Sequence, residues 1–168
     1  MGCAGRSASL RDLMRWPFSK KHPPLSIPPR DAQRWTVAEG DVGGGPLIVP
    51  SNDAARELAG HPDLPIKLGL AVPLNRPAPG GLPDADENAE LGRVEDLIVE
   101  RVLAAGVAVH AMSLTTGVMK EFVIYVAPGM DIATVHTRLR DEVSSHDVQC
   151  MAVKDPKWAS YREFVPSP

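Results

Sequence analysis

In Ile66-Lys67-Leu68-Gly69-Leu70-Ala71-Val72 every second residue is large and apolar. A period of two puts Ile66, Leu68, Leu70 and Val72 on one face of a strand, predicted over 64–73. The same period returns within 117–128, where Phe122, Ile124 and Val126 alternate with Val123 and Tyr125 before Pro128-Gly129 breaks the run. Between these strands the period lengthens. Leu91, Val94, Leu97, Ile98 and Val102 share one helical face, with Arg93, Glu95, Asp96 and Glu100 mostly opposite, which predicts a helix from about 84 to 105. Asp84 and Glu87 have capping-box spacing at its start, and Gly106 stops it. A strand over 107–114 and a Thr115-Thr116-Gly117 turn follow. Asp131 caps a second helix with Ile132, Val135, Leu139 and Val143 on its core face, ended by Ser144-Ser145-His146. A last strand covers 148–153, and Asp155-Pro156 supplies N-cap and first-turn chemistry for a short closing helix over 157–164.

The order from residue 65 is therefore strand, helix, strand, strand, helix, strand. Two right-handed crossovers put both helices on one face of a four-stranded antiparallel sheet, a ferredoxin-like α+β sandwich. An added hairpin precedes it over 34–50, with Gly43-Gly44-Gly45 as its turn. No Gly-Lys-Ser/Thr follows those glycines, so they make no phosphate loop. Ser51–Pro62 reads as a polar connection. Alternation directs Ile66, Leu68, Leu70, Val72, Phe122, Ile124, Val126, Val148, Cys150 and Ala152 toward the helices. The other face then carries Lys67, Gly69, Ala71, Val123, Tyr125, Gln149, Met151 and Val153, and His110 and Met112 are candidates to join it. That face is of mixed polarity. The closing segment, the hairpin, a second copy or a partner would cover part of it.

Charge divides the chain in two. Residues 1–30 hold six Lys/Arg against one Asp, and the rest hold twelve against twenty Asp/Glu. An acidic domain of this kind is a poor match for nucleic acid. The basic part is also proline-rich up to Pro28-Pro29-Arg30, which predicts a disordered or extended leader over 1–30 and a single domain over 34–166. Leu10, Leu13, Met14, Trp16 and Phe18 among basic residues allow weak contact of the leader with an anionic membrane; a solvated tail is the simpler reading. No apolar run approaches the ~20 residues that span a bilayer. Arg6 stands where a myristoylation signal takes Ser or Thr. Two cysteines, Cys3 and Cys150, make no disulfide framework, and a reducing cytoplasm is the expected compartment.

Catalytic chemistry is thin. His22, His61, His110, His136 and His146 have no metal-ligand spacing, and no catalytic residue, metal or cofactor is expected. Ser144-Ser145-His146-Asp147 has triad composition, but adjacent residues in a turn lack triad geometry. Cys150 reads as a small core residue. The acids Asp84, Asp86, Glu87 and Glu90 are explained by capping and the helix dipole. Phe122-Val123-Ile124-Tyr125 looks like part of an RNA-recognition sheet motif, but the required basic and glycine residues are missing. Two candidate sites remain. Trp158 and Tyr161, three apart on one helical face, either staple the C-terminus to the sheet or anchor a partner surface with Asp155, Tyr125 and Met151. Alternatively, Lys67, His110, Lys120 and Tyr125 line a ligand pocket between the sheet and the hairpin.

Gly81-Leu82-Pro83 with Glu87, Leu91 and Glu95, then Thr116-Gly117 with Phe122 and Tyr125, then Asp155-Pro156-x-Trp158-x-x-Tyr161 and Pro166 resemble the bacterial domain of unknown function 695, DUF695, over about 34–166. The closing Asp-Pro-x-Trp-x-x-Tyr is the most specific part. The leader lies outside the pattern. The resemblance implies no activity. It does imply a distant similarity to regulator of ribonuclease activity B, which inhibits a ribonuclease by binding it. The expected function is a non-enzymatic module acting on an unidentified protein partner, with an enzyme or small-ligand sensor as the alternative.

Overall fold

The computed structural model describes residues 22–165. Its first two strands, β1 (Trp35–Val42) and β2 (Gly45–Asn52), form the expected hairpin. The turn has two residues, Gly43 at φ +60° and Gly44 at φ +81°. Left-handed values at both central positions suit a right-twisted hairpin and favour glycine. The segment expected as a polar connection instead starts with a helix, α1 (Asp53–Leu58), whose cap Asn52 accepts from the Ala54 amide. Its apolar signal is only Ala55 and Leu58, too few for periodicity to register.

β3 (Ile66–Pro73), α2 (Ala85–Ala105), β4 (Ala108–Thr115), β5 (Met119–Val126), α3 (Ile132–Glu142) and β6 (Gln149–Lys154) follow within a residue or two of expectation, and α4 (Ala159–Phe164) closes the chain. The six strands of the described residues make one sheet in the order β1-β2-β4-β5-β3-β6, every neighbouring pair antiparallel. The hairpin is thus continuous with the main sheet. The junction of β2 with β4 pairs only Ile48 with Thr115 and Ser51 with Met112. Pro46 and Pro50 lie on β2 at positions whose amides would face β4, so two donors are missing there.

Two cores sandwich the sheet. On one side Leu68, Leu70, Val72, Phe122, Ile124 and Val126 pack under α2 and α3. On the other, Val123 and Tyr125 pack with Leu58 of α1 and Trp158 and Tyr161 at the C-terminal end. The second face is therefore closed over β4 and β5 by the chain itself, and open beyond them, where Met151 and Val153 are exposed.

β4 breaks the period of two. His110 pairs with Ile124 and Met112 with Val123, with a register shift between them. Ala111 is the extra residue of this bulge, and an extra residue reverses the parity of all that follows. Met112 joins the second face as expected, but His110 turns to the α2 side.

The described end of the leader, residues 22–30, is extended and mostly exposed but touches the domain: Leu25 and Ile27 rest on the second core, His61 donates to the Pro23 carbonyl and Arg30 pairs with Asp96 of α2. Of the two forms expected, disordered or extended, the prolines here give an extended strap. Residues 1–21, with the candidate membrane-contact residues, lie outside the described residues.

Candidate functional site

α2 and α3 cover the strands from β4 to β6, so among the described residues the α2-facing side of β1 and β2 has no helix over it. A groove results, with α2 as one wall and the hairpin as the other. Its lower half is a cavity of about 450 Å³ bordered by Arg30, Trp35, Pro50, Glu95, Leu103 and His110. Its upper half, about 380 Å³, is bordered by Val37, Pro50, Leu82, Asn88, Thr115 and Lys120.

A chain of polar side chains forms the floor between the halves. Lys120 Nζ lies 2.6 Å from Glu95 Oε2. Ser113 Oγ donates to the other Glu95 oxygen at 3.4 Å and lies 3.0 Å from His110 Nε2. The His110 ring meets Trp35 at 4.9 Å between centroids. Burial pushes the imidazole down to about 4, so His110 is neutral near pH 7. The order of the groups matters. A hydrolytic triad places the imidazole between hydroxyl and carboxylate, whereas here the hydroxyl lies between imidazole and carboxylate. Ser113 is fully buried and already bonded on both sides.

The two predicted ligand residues on this side, His110 and Lys120, are thus brought together, but the other two are not. Tyr125 faces the opposite core, and Lys67 pairs with Glu121 at 3.5 Å on that same second face. Sequence reasoning missed Ser113 and Glu95. Positions 110 and 113 fall on opposite faces of a regular strand, so only the bulge joins them. Glu95 lies four residues after Leu91, at the border of the apolar stripe, a weak signal that its charge was not simply solvated.

The candidate partner residues have a different fate. Trp158, Tyr161 and Tyr125 are buried, Asp155 nearly so, and only Met151 is exposed. Trp158 stacks flat on Tyr125, centroids 3.7 Å apart, meets Tyr161 edge-on and donates Nε1–H to the Leu64 carbonyl. Asp155 accepts the Tyr125 hydroxyl at 2.8 Å and the Ala159 and Ser160 amides. Burial opposes its ionisation, but these donors hold the carboxyl below its usual range. The expected Asp155-Pro156 helix start is thereby displaced: α4 begins at Ala159, and Asp155 caps it across the intervening turn. The aromatic pair is a staple, with no side-chain area left to touch a partner.

A second buried polar cluster belongs to the architecture. Asp84 caps α2 by accepting from the Glu87 amide. The Glu87 carboxylate does not reach back, as a capping box would; it accepts from the Asn75 and Arg76 amides and from His146. Burial disfavours its charge, but those donors outweigh it and the carboxyl lies below its usual value. His146 also contacts Ser145 Oγ, so the triad-like run is a helix-ending turn pinned to α2. Cys150 is half-buried beside the α2–α3 core, and burial pushes its thiol up, away from the reactive thiolate. Among the described residues, no three His, Cys, Asp or Glu side chains gather into a metal-binding group. Among them, too, no helix is long and apolar enough to cross a membrane.

The residues that carry the family likeness now have physical roles: Asp155, Trp158, Tyr161 and Tyr125 in the staple, Glu87 in the α2 latch, Glu95 in the groove floor. A comparison with family models matches residues 33–165 to the family of unknown function DUF695. The chain belongs to DUF695. No curated protein and no solved structure gave a match. In this DUF695 chain Gly117 shows how close the packing is, since a β-carbon there would collide with the Ala78 carbonyl.

Proposed function

We propose that this DUF695 domain is a non-enzymatic binding or regulatory module that acts through protein contact, with the groove between α2 and the β1–β2 hairpin as its working surface. One observation carries the reading: Trp35, Val37 and Leu82, 39%, 59% and 40% exposed, border the two cavities beside the Glu95–Lys120 pair. Exposed aromatic and aliphatic anchors around a fixed charge pair are the composition of a contact surface. The floor groups satisfy one another, which suits a rigid binding platform better than a reaction centre. The sheet order β6-β3-β5-β4 supports describing residues 66–154 as a ferredoxin-like sandwich extended by the hairpin. The analogy with regulator of ribonuclease activity B agrees with a contact role. A reducing cytoplasm suits a chain with two cysteines, one of them free at Cys150.

The alternative of a small-molecule sensor rests on the lower cavity, whose 450 Å³ is of ligand size and places a neutral His110 beside Trp35. Affinity capture with tagged protein, comparing the native chain with a Trp35→Ala, Val37→Asp variant of unchanged melting temperature, separates the readings. A stoichiometric protein lost on substitution is the expected result. Capture that persists in the variant removes the groove as the surface, and a folded bait that retains only a small molecule moves the function to the cavity.

A further inference from the structure

The outer wall of the groove has a property beyond its apolar side chains. We propose that β1 accepts an extended segment of a partner protein as a seventh strand, with basic side chains facing Glu39 and Asp41 and apolar ones facing Trp35 and Val37. This rests on the reading of the groove as a protein-contact surface and specifies its mode.

Among the described residues β1 is the outermost strand, and all eight of its residues are exposed. Because the hairpin turn has two residues, Val42 and Gly45 form its closing hydrogen-bonded pair. Alternation then assigns the backbone groups of Thr36, Ala38, Gly40 and Val42 to β2. Those of Trp35, Val37, Glu39 and Asp41 point to the free edge. No proline interrupts β1, so the edge is a continuous template for another strand. The same four residues share one face, and Trp35 and Val37 of that set line the groove. Recognition by backbone and by side chain therefore coincide in one row.

The charges select the occupant. Symmetric pairing of two copies would set Glu39 opposite Val37 and Asp41 opposite Trp35 and line the carboxylates of both along one face, which disfavours a self-paired edge. A basic segment finds complementary charge there, and in a domain where acids outnumber bases twenty to twelve over residues 31–168. β6, the other edge, is six residues long and has no carboxylate, with Met151 and Val153 exposed. A partner patterned basic then apolar thus distinguishes β1 from β6.

In an antiparallel register the partner reads, from its N-terminus, basic-x-basic-x-apolar-x-apolar. The probe is the synthetic peptide Lys-Thr-Lys-Thr-Val-Thr-Val-Thr, titrated into isotope-labelled full-length protein and followed by amide shifts and hydrogen exchange. Binding is expected to protect the amides of Trp35, Val37, Glu39 and Asp41. A peptide with Glu at both Lys positions should bind about tenfold or more weakly, given cross-strand charge pairs of this size. Methylating the peptide nitrogens that face β1 should abolish binding, whereas methylating the alternate nitrogens should not. Val37→Pro removes one edge donor that β2 does not use and should abolish binding without unfolding the domain. If that variant fails to fold, the methylated peptides make the same test on the native chain. Protection on β6, indifference to the Glu exchange or to methylation, or no binding at millimolar peptide each overturns the proposal. A captured protein that depends on Trp35 but competes with neither peptide leaves the groove in place and removes the strand addition alone.

Discussion

Trp158 stands at φ +56°, a left-handed conformation that costs a bulky residue on the order of 1–3 kcal/mol. It is held there by the Tyr125 stack, the Tyr161 edge and the Leu64 carbonyl. Trp158→Ala removes all three and leaves a cavity in the second core. Urea denaturation should report a loss of about 3–5 kcal/mol. His110 makes a prediction of a different kind. Its folded value lies near 4, below the ordinary value of 6.5, so between those limits the unfolded chain binds a proton that the folded chain refuses. Stability must therefore rise with pH across that window. His110→Gln should flatten the slope of melting temperature between pH 4 and 6.5. An unchanged slope would assign the dependence to other groups.

At the scale of elements, α2 is fixed at its start by two carboxylates of unequal weight. Asp84 is exposed and ties down the first turn, so only a small loss of stability is expected on Asp84→Ala. Glu87 is buried and serves two amides of the preceding loop as well as His146. Glu87→Ala strands these donors, and about 3 kcal/mol should be lost because unpaired buried groups forfeit their solvation. Chemical denaturation of both variants checks the order: a Glu87→Ala loss no larger than that of Asp84→Ala would contradict the latch. The element boundaries followed the sequence where periodicity was strong, as in α2, β3 and β5. They failed at α1 and at the start of α4. In both places a short element is set by a side-chain cap, Asn52 or Asp155, whose partners lie in the local turn rather than in a repeating apolar pattern.

At the scale of the molecule, the strap from residue 22 to 33 links the two faces of the sheet, touching the second core with Leu25 and Ile27 and α2 through Arg30. It also forms one rim of the lower cavity. Deleting residues 1–30 should uncover those apolar contacts and remove about 2 kcal/mol, lowering the melting temperature by about 5 °C in a scanning calorimeter. A melting temperature equal to that of the full chain would mean that the strap contributes no stability.

The order of strands and long helices was readable in the sequence, because the periods of two and of 3.6 are local consequences of backbone geometry. So was the inward direction of Leu68, Phe122 and Ile124. The destination of single side chains was not. His110 and Ser113 meet because Ala111 bulges, and a bulge depends on how β4 is paired with β5. For Trp158 and Tyr161 the spacing left two roles open, staple or partner anchor, and the packing of the C-terminal segment across the second face makes them the staple. The groove arises from a mismatch of layers, six strands under two long helices, and only the assembled sheet reveals where a helix is missing. Local pattern settles what each segment becomes; which of its residues face one another is decided by pairings distant in the chain.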